Sequence, residues 1–270
     1  MTSIFLFSLL YLVGMANSKV HLALVVCNED LSVLENLDCD GYDRILLYEK
    51  CSSQRTKTFP ECVKVTRPPL QKYSKTAKAE ETFLYDMINF RENNFQSELL
   101  VYMKASTFLV KHKNFTEFKY ILENLPNVAS KVDFMAISYG RSEHEELCKH
   151  PILKVLRRAD YRGSCKGNVI LRASFAVSSE SFKQVPFSVL EKLYALIRNP
   201  QKLDMQGSNQ EKVRHMSHFL EKFWQILFEC VPSQTSTRYC RKITEGTSYP
   251  LHSSPRRGGA IIIGEVLHKS

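Results

Sequence analysis

After residue 18 the chain has no apolar run approaching the ~20 residues that a membrane-spanning helix requires; Ile261, Ile262 and Ile263 make a run of only three. Several motifs that announce large enzyme classes are also missing. There is no Gly-x-Ser-x-Gly elbow, no His-Glu-x-x-His helix and no glycine-rich phosphate loop, so serine hydrolase, zinc protease and P-loop readings have no residues to stand on. No internal repeat occurs, nor any aromatic–basic pattern of an RNA-binding module. An acidic excess is absent too: 37 Lys and Arg face 28 Asp and Glu, a net charge of +9. A basic surface attracts phosphate-bearing ligands, anionic glycans or membranes, or simply keeps a protein soluble. The hydrophobic share of 44% and the length of 270 residues suit one α/β domain or two small ones with a real core.

What is present begins with an address. Residues 1–18 carry no charged side chain, hold the apolar run Ile4–Val13 and end on Ala16, Asn17 and Ser18, a small-residue cleavage site. This is the pattern of a secretory signal peptide lacking its usual basic start. The competing reading is an uncleaved Golgi-type anchor, against which the shortness of the run argues. Cleavage is expected near Ser18, leaving no stable membrane span and a location outside the cell or in the secretory lumen. Nucleic acid is not a partner to expect there.

Eight cysteines follow the signal, an even number that favours disulfides in an oxidising compartment. Closing short loops costs least entropy, so the expected pairs are Cys51 with Cys62, Cys148 with Cys165 and Cys230 with Cys240. Cys27 then pairs with Cys39 or stays free. Asn114-Phe-Thr116 is the one glycosylation sequon, and a glycan on Asn114 is expected.

Val20–Cys27 is nearly continuous apolar sequence, as in a strand buried on both faces of a parallel sheet. A short helix is expected around Leu31, Leu34 and Leu37, strands at 44–49, 61–65 and 99–103, and helices at 78–91 and 115–125. Residues 132–137 return to strand, and the charged section 141–164 reads as partly helical. In 167–177 the residues Val169, Leu171, Ala173, Phe175 and Val177 share one parity, which predicts a single strand with one apolar face. Helices follow at 187–197 and 216–228, the second burying Phe219, Leu220, Phe223, Trp224 and Leu227. Alternating strands and helices imply an α/β fold, a mostly parallel sheet with helices on both faces. The domain spans 19–234. Beyond it, 235–270 reads as a flexible basic tail: after Cys230 there are six Lys or Arg against two Glu.

The order Arg172-Ala-Ser-Phe-Ala-Val-Ser178, a Ser/Glu turn, a Pro-led helix and then Leu220-Glu-Lys-Phe-Trp224 resembles the end of domain-of-unknown-function family number 3431. That family is taken as related to nucleotide-sugar glycosyltransferases of the A-type fold. The resemblance implies a secreted or lumenal glycosyltransferase-like protein, with a nucleotide-sugar donor, a glycan or protein acceptor, and a divalent cation such as manganese. The alternative is a catalytically inactive binding protein on the same scaffold.

Under that resemblance Asn28, Glu29 and Asp30, directly after the first strand, would hold base and ribose. Asn and Asp there also suit a helix cap. Lys104 and Arg172 would face the diphosphate, Glu221 would be the catalytic base and Trp224 a platform for the sugar. The sequence departs from the family in two places. The strand ending at Met103 is followed by Lys104-Ala-Ser-Thr107 with no carboxylate for a metal. A Gly-Arg-Glu opening before a Thr-Tyr-Leu helix is replaced by Lys78-Ala-Glu-Glu-Thr-Phe-Leu84, where Glu80 or Glu81 stands in for the acid. Asp38-Cys-Asp40 has the spacing of a metal-binding pair but precedes a strand and reads as a solvated turn. His144, Cys148 and His150 lack a fourth zinc ligand. No metal ligands are therefore assigned.

Overall fold

A computed structural model of the chain describes residues 19–51, 58–69, 79–93, 95–109, 115–137, 142–163, 165–170 and 174–229. The segment 1–18 expected to be a signal peptide, Asn114, Arg172, the expected pair Cys230 and Cys240, and the segment 235–270 expected to be a tail lie outside the described residues.

The strands are β1 (Val20–Val26), β2 (Tyr42–Glu49), β3 (Val63–Thr66), β4 (Leu99–Lys104), β5 (Phe134–Ala136), β6 (Ser142–Glu146), β7 (Lys166–Ile170) and β8 (Phe175–Ser178). The helices are α1 (Glu80–Glu92), α2 (Ala105–Leu109), α3 (Phe115–Val128), α4 (Pro151–Arg157), α5 (Ser179–Gln184), α6 (Phe187–Arg198) and α7 (Asn209–Glu229). Six strands form one sheet in the order β3-β2-β1-β4-β8-β5. β1 pairs in parallel with β2 and β4, and β2 with β3, whereas β8 runs antiparallel to both its neighbours. The fold is α/β and its sheet is mixed.

Alternation along β1 sends its residues to two cores. Val20, Leu22, Leu24 and Val26 join α2, α3 and the Ser32–Leu34 turn on one face. Ala23 and Val25 meet α1, α4, α5, α6 and α7 on the other. This double burial is why β1 reads as unbroken apolar sequence. Each helix feeds its inward stripe to one of these cores: Phe83, Leu84 and Met87 from α1, Phe118, Ile121 and Leu122 from α3, and Phe219, Leu220, Phe223 and Leu227 from α7. α7 starts earlier than the apolar stripe alone suggests. Ser208 and Glu211 form a reciprocal capping box, Ser208 N–H donating to Glu211 Oε2 at 2.7 Å and Glu211 N–H to Ser208 Oγ at 3.3 Å. Gly41 turns the chain into β2 at φ +81°, where a Cβ would stand 2.5 Å from Pro126 of α3.

The segment 166–178 departs from expectation. The single strand predicted from Val169 to Val177 is two strands in two sheets: β7 pairs antiparallel with β6 in a separate ribbon, and β8 enters the main sheet. A shared parity does not report that the partner strand changes. β6 itself lies in charged sequence that carries no alternating apolar pattern.

The disulfides also correct the expected pairing. Cys51 and Cys62 are not joined to each other. Cys27 pairs with Cys51 and Cys39 with Cys62, at Cα separations of 4.8 and 5.8 Å, whereas Cys148 pairs with Cys165 as expected, at 4.9 Å. Parallel strands explain the difference. β1 and β2 end side by side, Val26 opposite Glu49, so residues just beyond the two ends meet despite the 24 positions between Cys27 and Cys51. Likewise Ile45 N–H donates to Cys62 O at 2.7 Å, bringing the approach to β3 against β2. The three bonds and the absence of a membrane-spanning helix among the described residues fit a protein of the secretory compartment.

Candidate functional site

The chain builds outward from β1 through β2 to β3, then returns to lay β4 on the other side of β1. Opposed connections put the switch point of the sheet at the carboxyl ends of β1 and β4, the place where open α/β sheets take their ligands. Lys104 closes β4 there, level with Val25 of β1. Glu80, in the first turn of α1, and Glu221 of α7 are brought to it.

The Lys104 ammonium lies 2.8 Å from Glu80 Oε1 and 3.2 Å from Glu221 Oε1. Glu80 is fully buried and its other oxygen accepts from Ser217 Oγ at 2.6 Å. Lys104 and Glu221 keep 15% and 20% of their side-chain surface, so the open side of the cluster belongs to them. Burial works against the lysine's charge, but Glu80 first and Glu221 second outweigh it and hold the ammonium above its ordinary range. The positive end of α1 favours carboxylates in its first turn. Ser174 Oγ accepts from the Lys104 backbone N–H at 3.2 Å, fixing the approach to β8 beside β4.

Lys50, just past β2, joins the same group. Burial lowers its pKa to about 8, while Glu80 and Glu81 act the other way and Lys104 reinforces the fall. An unfolded lysine keeps its proton to about 10.5, so between the two values the unfolded chain binds more protons than the folded one. Lys50 therefore costs stability below pH 8, and that cost is relieved as pH rises towards 10.5. Lys50→Met is expected to raise the melting temperature at pH 7 and to flatten the rise in stability over that window, read by thermal unfolding at stepped pH.

The residues expected to act after β1 are placed as follows. Asn28 is exposed just past the end of β1. Glu29 Oε2 accepts from Cys27 N–H at 2.5 Å, and Asp30 Oδ1 from Ser32 N–H at 3.0 Å, so both carboxylates brace the turn that leaves the strand. The Cys27–Cys51 bond ties that turn to the end of β2, next to Lys50.

Trp224 is not an open platform. Its ring is 1% exposed, packed against Phe175 at 5.6 Å and Phe228 at 6.2 Å between centroids. A sugar cannot stack on it; the indole instead anchors the turn of α7 that carries Glu221. Asp38 accepts from Asp40 N–H at 3.0 Å in an exposed turn. His150 caps α4, and Cys148 is spent in a disulfide.

Sequence reasoning brought Glu80, Lys104 and Glu221 forward separately. It did not foresee that the lysine lies between the two acids, nor the parts of Lys50 and Ser217. A lysine directly after a strand and an acid pair opening a helix were the available signals for Lys50 and Glu81. Nothing in the local sequence points from Ser217 to a residue 137 positions away.

For a divalent cation the donor set is poor. Among the described residues no three His, Cys, Asp or Glu side chains converge on one point, and the Glu80 carboxylate already has Lys104 and Ser217 as partners. The described residues do not fit a protein-held manganese ion.

A scan against models of known protein families finds no match to this chain, and a search of curated proteins finds none either.

Proposed function

We propose that this is a secreted or lumenal glycosyltransferase-like protein whose ligand site is the switch point at the ends of β1 and β4. The observation that carries the reading is convergence. Two segments that resemble the glycosyltransferase-like family 3431 lie far apart in sequence, the approach to β8 and α7, and the opening of α1, where the family's Gly-Arg-Glu is replaced, still offers Glu80. Through Glu80, Ser174 and Glu221 all three meet at Lys104. A sheet in which β4 follows β1 across an order reversal, as in A-type nucleotide-sugar transferases under that resemblance, supports the same placement.

On this reading base and ribose lie against Asn28–Asp30, and the diphosphate faces Lys104 and Arg172. Glu221 takes the proton of the acceptor hydroxyl as its oxygen bonds to the sugar's anomeric carbon. The bond from that carbon to the phosphate oxygen breaks, and the nucleoside diphosphate leaves with the electron pair. The Lys104 ammonium, 3.2 Å from Glu221, orients the base and faces the charge that develops on the leaving group. Glu80 and Ser217 position the lysine. Trp224 acts through the packing of α7.

Glu221→Gln keeps shape and removes the base, so turnover should fall by ~10²-fold or more with donor binding nearly intact. Single-turnover transfer and donor titration separate the two; unchanged turnover removes Glu221 from the chemistry. One observation favours a catalytically silent binding protein on the same scaffold: two carboxylates already share the Lys104 charge, leaving less of it for a diphosphate. Donor binding with no transfer in the wild-type protein decides for that reading.

A further inference from the structure

The Cys148–Cys165 bond closes an excursion of 17 residues that holds α4 and the turn after it. Ile152, Leu153 and Leu156 anchor the helix in the core with no exposure at all, and Ser188 of α6 donates to Ala159 O at 3.0 Å. The face left outside is almost wholly cationic. Lys149, Lys154, Arg157, Arg158 and Arg162 are all exposed, and Asp160 is the one acid among them. Asp160 is partnered by Arg162 at 3.7 Å, and Arg162 also donates to Arg157 O at 2.9 Å. Lys149, Lys154, Arg157 and Arg158 have no ion pair among the described residues. The charge continues onto α7. Burial lowers the pKa of His150, and the positive fields of His215 and Lys222 lower it further. α6, packed behind α4, contributes one exposed acid and one exposed base, Glu191 and Lys192.

We infer that this disulfide-bounded face is a docking surface for a linear sulfated glycan. Guanidinium groups match sulfate oxygens in a two-pronged geometry, and three of the five cations are arginines. The bond at the base fixes the excursion, so little order has to be imposed when a polyanion binds. A membrane suits the face poorly, because Ile152, Leu153 and Leu156 of α4 are buried and Val155 packs against the core, leaving no large apolar side chain to insert. A folded protein partner suits it poorly too, since no aromatic or aliphatic anchor stands among the charges.

The test uses the full-length mature protein and a triple variant, Lys154→Ala with Arg157→Ala and Arg158→Ala. Binding to heparin is measured at physiological salt, beside a chemically desulfated heparin and phosphatidylserine vesicles. The wild type should bind heparin with an affinity that falls steeply with salt, and the variant should lose at least ~10-fold with an unchanged melting temperature. Equal affinity of the two proteins would place binding elsewhere, such as the basic tail, and overturn the inference. Undiminished binding to desulfated heparin, or tighter binding to the vesicles, would overturn it as well. Should the triple variant fail to fold, Arg158→Glu alone must weaken heparin binding for the inference to stand.

Discussion

Asp86→Ala is expected to destabilise the protein by about 3–5 kcal/mol, the largest loss from any single substitution away from the candidate site. Asp86 is 1% exposed on α1, under the sheet. Its carboxylate oxygens take His21 Nε2 of β1 at 2.8 Å and the Tyr48 hydroxyl of β2 at 2.5 Å. Tyr102 of β4 is buried beside it, and burial and the Asp86 charge raise both tyrosines far above their ordinary values. One carboxylate thus ties α1 to β1 and β2. Alanine would leave an imidazole and a phenol without partners in a dry core, each costing about 1–3 kcal/mol. Urea unfolding followed by circular dichroism measures this, and a loss under about 1 kcal/mol would contradict it.

Lys104→Met should cost a comparable amount, about 3–5 kcal/mol, because it takes the ion-pair partner from the fully buried Glu80 charge, whose remaining hydrogen bond is from the Ser217 hydroxyl. This loss should be recoverable. Adding Glu80→Gln removes the orphaned charge, and the double variant should regain at least half of the stability lost. The cycle is read from the same urea midpoints, and simple additivity of the two losses would mean the pair is not coupled. Ligand binding should not return with stability, since the lysine that faces the phosphates is gone.

Much of this architecture is legible in the sequence where one physical cause dominates. Val20–Val26 is apolar throughout because both its faces are covered, and the α7 stripe repeats at helical spacing because one face is. Where two long-range causes act together, the sequence is silent. Cys27 meets Cys51 because parallel strands bring distant ends level, a proximity that loop length cannot report. The stretch 166–178 changes sheets without changing parity. At the candidate site the chemical types were readable, acids opening a helix and a lysine ending a strand, but their pairing depends on α7 crossing the end of β4. Trp224 shows the converse: an aromatic beside an acid looks like a sugar platform until packing places it among Phe175 and Phe228.

The central claim is that the cluster of Lys104, Glu80 and Glu221 forms part of a nucleotide-sugar site and is not a sealed ion cluster. Thermal unfolding against a panel of nucleotide sugars, with and without manganese, tests it most directly. A ligand at 100 times its dissociation constant adds about 2.7 kcal/mol, which for a domain of this size is a rise of roughly 5–10 °C in melting temperature. The account predicts such a rise for at least one donor at millimolar concentration, retained in Glu221→Gln and lost in the Lys104→Met/Glu80→Gln double variant. No rise with any donor, with manganese or without, would contradict it.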